Sequence, residues 1–530
     1  MAHFLRLPRE LRDLIYEYYF DGEGGFKYDF VTNKLRWADG LSIDLSLVLA
    51  CRQIAAETHV RRNYYRCLAR TLFLRGTCVS SPRYTHGLAL RTNTLRFKTF
   101  HSDHTQEHAS VLHIVNREIY ERQESLLDSL APELLSQEQA QVAKSLYPQF
   151  APVIDYWRLR GKVRHIGALC EECCVTPSIW RDFVAFTLNL ISQQPGFLGE
   201  AEALKLEARQ KRSGFLFGPR VMVIPDPDPH EDARTLALNE ARPVPWQITD
   251  IEEIAKLREL IIDDNVVPHS NTKYTYSAAS MALRLLHSMP RVTRDNIRKI
   301  ILIEDRESIA FPQSHGRGFI DVCREHPQLK VERFVSLWRN AIPVSYKDIS
   351  AYLHGDQNFL DHGLLDRHRC DAGFISQGVG TWIMEARALP SLGMPQDSFT
   401  LVLDGDPLPD QTSRIFKIIQ RDAAWQSALD ICYDTGLLPR PSWPDKRIYT
   451  ASFIHEEFPE AIGAISTHSS LVRTNFPVGA PYDVEQLLQE HEGWTPEDWE
   501  EGWQLHEPHQ FQTEAPLPPW HLLRWQHVIR

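Results

Sequence analysis

Short runs of Ile, Leu and Val alternate with amphipathic stretches along most of the chain, and this alternation limits the folds that the sequence can adopt. Short apolar runs are typical of buried strands, whereas apolar residues spaced by three and four are typical of helices. Strands that alternate with helices form a largely parallel sheet, so we predict a mixed α/β fold. The predicted strands are 163–169, 221–224, 257–262, 297–303, 331–337 and 399–403, and the predicted helices are 180–191, 201–212, 277–289, 318–326 and 414–428.

Three of the predicted strands share a local pattern. Residues 163–166 (VRHI), 257–262 (LRELII) and 297–302 (IRKIIL) each begin with an apolar residue and a basic one, and then return to apolar residues. This recurrence favours an irregular leucine-rich-repeat-like solenoid. An ordinary open-sheet, three-layer α/β body fits the same residues equally well, and the sequence leaves both open.

The chain of 530 residues is long enough for several structural units at about 150 residues each. Proline and aspartate alternate at 225–229, a pattern that fits neither a sheet nor the interior of a helix and so predicts a loop. We predict the following units: a helical module at 1–76, a first α/β part at 77–224, a loop or linker at 225–245, a second α/β part at 246–480 and a tail at 481–530.

The first unit is predicted to hold two helices around an insert. Apolar residues recur at helical spacing over 7–18 and again over 47–58. Between them, Phe26 and Tyr28 alternate with polar residues, as do Leu35 and Trp37 after a short polar turn. This alternation predicts a small hairpin.

Composition limits the partners of the chain. Its formal net charge is -11, which argues against a general affinity for nucleic acid or for an anionic membrane surface. One basic run could follow a phosphate backbone, but such a run is more often a solvated helix face, so a nucleic-acid partner is unlikely on this evidence. The run consists of Arg61, Arg62, Arg66, Arg70 and Arg75.

The cysteines and the apolar stretches indicate a compartment. Nine cysteines, spread without dense spacing, predict reduced thiols. The first ten residues lack a signal-peptide core, and the longest apolar stretch, 183–191, is about half of the ~20 residues that a membrane helix needs. We therefore expect a protein without a membrane span, in the cytoplasm, the nucleus or both.

The tail is acidic and rich in tryptophan. Residues 483–514 hold ten acidic residues and no Lys or Arg, together with Trp494, Trp499 and Trp503; Trp520 and Trp525 follow. Such a tail either docks on the body of the same chain or recruits a basic partner. We expect docking, because five tryptophans are costly to expose to water.

Two patterns point to chemistry without establishing it. Cys170, Cys173 and Cys174 have zinc-ligand spacing, but no second ligand pair is near in sequence, so we predict buried thiols and no metal.

Motifs of common hydrolases, nucleotide-binding folds and zinc proteases are absent, so no catalytic residue and no cofactor is predicted. Carboxylates do follow predicted strands, and their convergence would indicate an enzyme. These carboxylates are Asp263, Asp305, Asp404 and Asp406.

The two N-terminal helices carry a recognisable signature. Residues 7–16 read LPRELRDLIY and residues 47–58 read LVLACRQIAAET. Together they resemble the F-box-like start of a large family of filamentous-fungal proteins, in which an LPxELRxxIY helix precedes an LxxxCRQIxxE helix. The resemblance covers about the first seventy-five residues. Two departures from an ordinary F-box are the long insert at 21–40 and the Cys51-Arg52-Gln53 sequence in the second helix.

The resemblance implies docking onto a ubiquitin ligase. In F-box proteins the first helix binds the Skp-type adaptor of a cullin–RING ligase, and the rest of the chain captures a protein substrate. Carried over to this chain, Leu7, Pro8, Leu11 and Ile15 would form the docking face, a helix-in-groove contact. We therefore expect a non-enzymatic substrate adaptor. Two alternatives stay open, namely an interaction scaffold in which these helices only cap the fold and an enzyme that uses strand-end carboxylates.

Overall fold

In a computed structural model of the chain, the structure describes residues 4–9, 11–12, 15, 26–29, 34–37, 94–101, 103–160, 175–203, 231–261, 273–342, 369–443, 445–450, 453–505 and 510–512. Both helices and strands are present throughout these ranges, which confirms the mixed α/β class. The strands are β1 (Phe26–Asp29), β2 (Lys34–Trp37), β3 (Thr94–Lys98), β4 (Lys299–Glu304), β5 (Lys330–Ser336), β6 (Arg369–Asp371), β7 (Phe399–Asp404), β8 (Val472–Thr474) and β9 (Gln510–Gln512).

The helices lie between the strands and after them. The α-helices are α1 (Gln106–Leu134), α2 (Gln137–Leu146), α3 (Ala151–Arg160), α4 (Pro177–Ile191), α5 (Glu231–Glu240), α6 (Ile251–Glu259), α7 (Ala278–Ser288), α8 (Arg291–Arg294), α9 (Ile320–Glu325), α10 (Ala372–Ala388), α11 (Pro409–Asp434), α12 (Phe458–Ser466), α13 (Val484–Glu490) and α14 (Pro496–Leu505). Short 3-10 segments are Phe4–Arg6, Asp103–Thr105, Pro148–Phe150 and Pro312–Phe319, and π-helical turns are Leu337–Ala341 and Asp445–Tyr449.

One sheet organises the described part of the chain, with seven strands in the order β2-β1-β3-β4-β5-β7-β8. Every neighbouring pair is parallel except β1 with β2. The parallel strands follow one another in chain order, as they would in a solenoid. Their connections are unequal, however, since 305–329 joins β4 to β5 whereas 99–298 joins β3 to β4. The described strands therefore do not belong to a regular repeat.

The core lies against one face of this sheet. Burial alternates along β3 and β4, where Leu95, Phe97, Ile300 and Leu302 are buried and the residues between them are only half-buried or exposed. Helix α7 contacts both of these strands. The alternation has a period of two because successive side chains of a strand point to opposite faces.

Three predicted strands and several predicted helices are confirmed. Strands β4, β5 and β7 match the predictions at 297–303, 331–337 and 399–403, and α4, α7, α9 and α11 match four predicted helices. The predicted strands 163–169 and 221–224 lie outside the described residues. Of the predicted helix 201–212, residues 201–203 are helical and the rest lie outside the described residues.

The predicted strand at 257–262 is wrong, because residues 257–259 belong to helix α6 and residues 260 and 261 form the turn after it. Asp250 caps this helix by accepting a hydrogen bond from the backbone N–H of Glu253 at 2.9 Å. Ile254 and Leu257 are three residues apart and share one helix face against the core, and Ile261 is buried in the turn that follows. The repeated pattern assigned to 257–262 is therefore not a repeated strand.

The predicted loop at 225–245 is wrong over 231–240, which forms α5. Its carbonyl end is held by a buried glutamine of α1, since Gln123 Nε2 donates to Leu238 O at 2.7 Å and to Ala241 O at 2.9 Å. Residues 225–230 lie outside the described residues.

The hairpin predicted inside the N-terminal insert is confirmed. Strands β1 and β2 pair antiparallel, with Phe26 opposite Trp37 and Tyr28 opposite Leu35. Strand β1 also pairs in parallel with β3. A strand from the predicted N-terminal module thus extends the sheet to which both predicted α/β parts contribute.

The tail docks on the body, as expected. Trp499 and Trp503 are buried in a cluster with Trp425 of α11, and β9 pairs antiparallel with β6. The acidic residues of α13 and α14 are exposed. Trp520 and Trp525 lie outside the described residues.

Candidate functional site

The first helix presents apolar side chains to solvent. A helical turn begins at Pro8, whose carbonyl accepts the backbone N–H of Arg12 at 3.1 Å, and proline is well tolerated in a first turn. Leu11 is 46% exposed and Ile15 is 39% exposed, while Pro8 is exposed and Leu7 half-buried. All four residues of the predicted docking face therefore retain contact with solvent.

The charged residue of the same turn points inward. Arg12 is only 8% exposed. Its Nη1 atom donates to the carbonyl oxygen of Leu5 at 3.2 Å and also to that of Leu7. Leu5 packs against the central core. This arrangement reverses the usual amphipathic pattern, in which a surface helix buries its apolar stripe and exposes its charges.

The second helix of the signature, at 47–58, lies outside the described residues. So do the basic run from Arg61 to Arg75 and the three clustered cysteines at 170–174 with His165.

The carboxylates that follow predicted strands lie at the carboxyl edge of the sheet. Asp305, directly after β4, accepts a hydrogen bond from Thr99 Oγ1. Asp404, at the end of β7, accepts one from Asn475 Nδ2 at 2.7 Å and one from the backbone N–H of Asp406 at 3.1 Å. Asp263 lies outside the described residues.

These carboxylates do not form one cluster. Strand β5 separates β4 from β7, so Asp305 and Asp404 are two strand spacings apart, roughly 9–10 Å along the sheet. Among the described residues no group of three or more His, Cys, Asp or Glu side chains is placed to hold a metal ion. The convergence that would indicate an enzyme is thus not seen for the three described aspartates.

A buried ion pair, which the sequence did not reveal, lies beneath this edge. Glu304 Oε1 accepts from Arg333 Nη2 at 2.8 Å and from Arg333 Nε at 3.0 Å, and both side chains are at most 1% exposed. Glu304 also accepts the backbone N–H groups of Ala278 and Ala279, at 2.9 and 3.2 Å. The carboxylate therefore caps α7 as well as pairing with Arg333. Its role here is to join sheet and helix.

A serine and a histidine meet nearby in an equally buried position. His315 Nε2 lies 2.6 Å from the carbonyl oxygen of Ala310, so this nitrogen carries the proton and Nδ1 accepts from Ser277 Oγ at 2.7 Å. Burial lowers the pKa of His315 to about 3. Ser277 is 0% exposed and also accepts the Ser280 N–H as the N-cap of α7. A substrate cannot reach this hydroxyl, so the pair is structural.

No helix in the described part of the chain is both long and apolar enough to cross a bilayer. Comparison of the chain with family models, with curated proteins and with solved structures returns no match. The function must therefore be inferred from the residues themselves, and the exposed apolar residues Leu11 and Ile15 coincide with the first half of the N-terminal signature.

Proposed function

We propose that this chain is a non-enzymatic adaptor of F-box type. Its first helix would bind the Skp-type adaptor of a cullin–RING ubiquitin ligase, and its α/β body would hold a protein substrate. The proposal combines the N-terminal signature at 7–16 and 47–58 with the exposure of the helix that carries its first half.

The observation that carries the proposal is the reversed orientation of this helix. Leu11 and Ile15 are four residues apart and lie on one stripe, which is exposed, while Arg12 beside them is buried. Fully burying a Leu or Ile side chain stabilises a protein by about 1.5–3 kcal/mol, so a helix that only caps its own fold would bury these two first. A partner with an apolar groove would recover that free energy on binding.

The fold also provides an anchor for such a helix. The hairpin β1–β2 follows the helix in the chain and adds to the edge of the main sheet through β3. Leu5, just before the helix, packs against the central core. Leu5 therefore ties the start of the exposed stripe to the body, an attachment that an adaptor requires in order to hold a substrate near the ligase.

The packing of Leu5 against the core is also consistent with the scaffold alternative, because a helix that only caps the fold would make this contact too. The enzyme alternative depends on the edge formed by Asp404, Asp406 and Asn475. It lacks a third acidic or histidine partner among the described residues.

A capture experiment tests the adaptor proposal. The tagged full chain would be incubated with purified Skp-type adaptor, as wild type and as a Leu11→Glu/Ile15→Glu variant. Two buried anchors of about 1.5–3 kcal/mol each predict a loss of affinity greater than tenfold in the variant. Ile251→Glu is the matched control, since Ile251 is 74% exposed on α6 and far from the signature in sequence.

The result expected is binding by the wild type and by Ile251→Glu, and loss of binding in the double variant, with native circular dichroism in all three proteins. Failure of the wild type to bind would refute the adaptor proposal and leave the first helix as a cap of the fold.

A further inference from the structure

An arginine of α4 is buried with one guanidinium nitrogen that lacks a hydrogen-bond partner. Arg181 is 8% exposed, and its Nη1 atom is buried with no hydrogen-bond partner in the described residues. The guanidinium carbon lies 4.3 Å from the ring centre of Phe311 and 5.1 Å from that of Tyr120. Stacking on rings leaves the N–H groups in the guanidinium plane without an acceptor.

The neighbouring carboxylates are already used. Asp182 accepts from Arg317 Nη2 at 2.6 Å. Glu385, whose charge interacts with that of Arg181, accepts both the N–H and the hydroxyl of Ser178, each at 2.7 Å. Neither carboxylate hydrogen-bonds to Arg181. A buried charge that lacks such a partner is costly, and its retention calls for an explanation.

Two further guanidinium groups meet the same stripe of α4. Ser178, Arg181, Asp182 and Ala185 are three and four residues apart and so share one face of the helix. Arg317 Nη1 donates to Ser178 O at 3.1 Å, and Arg242 Nη2 donates to Ala185 O at 3.1 Å. Arg181 lies between them on this face, and of the three guanidinium groups it is the one with a buried nitrogen, Nη1, that lacks an acceptor in the described residues.

We infer that this stripe of α4 is a binding site for an oxyanion, in which a carboxylate or phosphate group pairs with Arg181 between Arg317 and Arg242. Such groups match the fork of guanidinium N–H donors and are recognised by arginine clusters elsewhere. The site lies on α4, and the inference does not depend on the adaptor proposal.

Access to Arg181 involves the residue that covers it. Phe311 is half-buried, and both it and Ala310 have positive φ, at 55° and 60°, a conformation that side chains disfavour. Strained backbone of this kind occurs at ligand clamps and switches. A backbone change at Ala310 and Phe311 would release this strain and, by moving the Phe311 ring off Arg181, would open Nη1 to the incoming anion.

Calorimetric titration of the full chain with inorganic phosphate, and separately with acetate, tests the inference at ionic strength matched with chloride. We expect the wild type to bind at least one of the two anions. Arg181→Met should weaken that binding by at least about tenfold, because hydrogen bonds to charged groups contribute about 1.5–3 kcal/mol. Arg440→Met is the matched control, since Arg440 pairs with Asp434 at the surface and its side chain is 69% exposed.

A thermal unfolding measurement without added anion separates a binding role from a structural one. If Arg181 is kept for a ligand, Arg181→Met should unfold without added anion at a temperature close to that of the wild type, since methionine keeps the apolar packing on Phe311 and no hydrogen bond of Nη1 is lost. A clearly lower unfolding temperature would assign Arg181 a structural role as a charge partner of the buried Glu385 and would overturn the inference. Binding of phosphate alone would assign a phosphoryl ligand, and binding of acetate alone would assign a carboxylate. Absence of binding by the wild type, or equal binding by Arg181→Met, would overturn the inference.

Discussion

Arg333 of β5 reaches across the sheet to Glu304 of β4 and places Nη2 2.8 Å from Oε1, with both side chains fully enclosed. The guanidinium also lies 4.7 Å from the ring of Trp382 in α10, and its Nη2 donates to Pro312 O at 2.7 Å. Since Glu304 caps α7 at the same time, one ion pair connects two strands, two helices and the 3-10 segment that begins at Pro312. Breaking this ion pair should therefore lower the stability of the whole body.

We predict that Arg333→Met lowers the free energy of unfolding by about 3–5 kcal/mol, because Glu304 would remain as an uncompensated buried charge. Glu304→Gln in the same chain should recover part of this loss, since an amide oxygen still accepts from Ala278 and carries no charge. Urea unfolding of the two single variants and the double variant gives the coupling, which we expect to fall within about 0.5–3 kcal/mol.

A matched control exists on the same two strands. Lys299 and Glu332 form a pair at 2.7 Å with side chains 37% and 33% exposed. Lys299→Met should cost less than about 1 kcal/mol, because exposed ion pairs contribute little. Equal losses for Lys299→Met and Arg333→Met would contradict the role assigned to burial.

The docked tail makes a second prediction. Trp499 of α14 is 2% exposed, and its ring centre lies 5.2 Å from that of Trp425 and 5.3 Å from that of His491. Trp499→Ala should lower the free energy of unfolding by about 3–5 kcal/mol, the usual cost of removing a large buried aromatic side chain. Chemical unfolding followed by circular dichroism measures this loss.

The neighbouring residue provides the control for the tail. Glu500 is exposed on the same helix, so Glu500→Ala should stay within about 0.5 kcal/mol of the wild type. If Trp499→Ala proved equally neutral, the tail would not be held to α11 in solution, and recruitment of a basic partner would become the better account of its tryptophans.

The spacing of apolar residues predicted the strands that lie inside the sheet and the hairpin with one alternating pattern. Strands β4, β5 and β7 lie inside the sheet, so their runs of Ile, Val and Leu carry a strong signal. The hairpin was predictable because Phe26 and Tyr28 alternate with polar residues toward Leu35 and Trp37. The prediction for 257–262 is wrong because a short apolar run fits a strand and a helix equally well, and the capping Asp250 lies seven residues before the run.

Contacts between distant segments could not be predicted in the same way. Glu304 and Arg333 meet only because β4 and β5 pair in the register that aligns Leu302 with Arg333 and Glu304 with Val335. Arg181 is a single basic residue in an apolar helix, and the lack of a hydrogen-bond partner for its Nη1 depends on Asp182 accepting from Arg317 instead. For the first helix, the spacing of Leu7, Leu11 and Ile15 predicted a shared stripe, whereas the burial of Arg12 beside it depends on the carbonyl groups of Leu5 and Leu7.

Buried histidine makes the last prediction, which concerns pH. Burial lowers the pKa of His315 to about 3, against an ordinary value of 6.5, so between these values the unfolded chain binds a proton that the folded chain does not. The free energy of unfolding must therefore fall as the pH decreases from about 6.5 toward 3, by up to about 1.4 kcal/mol per pH unit for each such histidine. His113, whose pKa burial lowers to about 4, acts in the same direction. The free energy of unfolding would be measured with urea at a series of pH values. His315→Gln should reduce the slope of this free energy against pH, whereas His287→Gln, at an exposed position of α7, should leave the slope unchanged. An identical slope in the wild type and in His315→Gln would show that His315 gains its proton without unfolding of the chain. That result would contradict the buried position of His315 between Ser277 and Ala310.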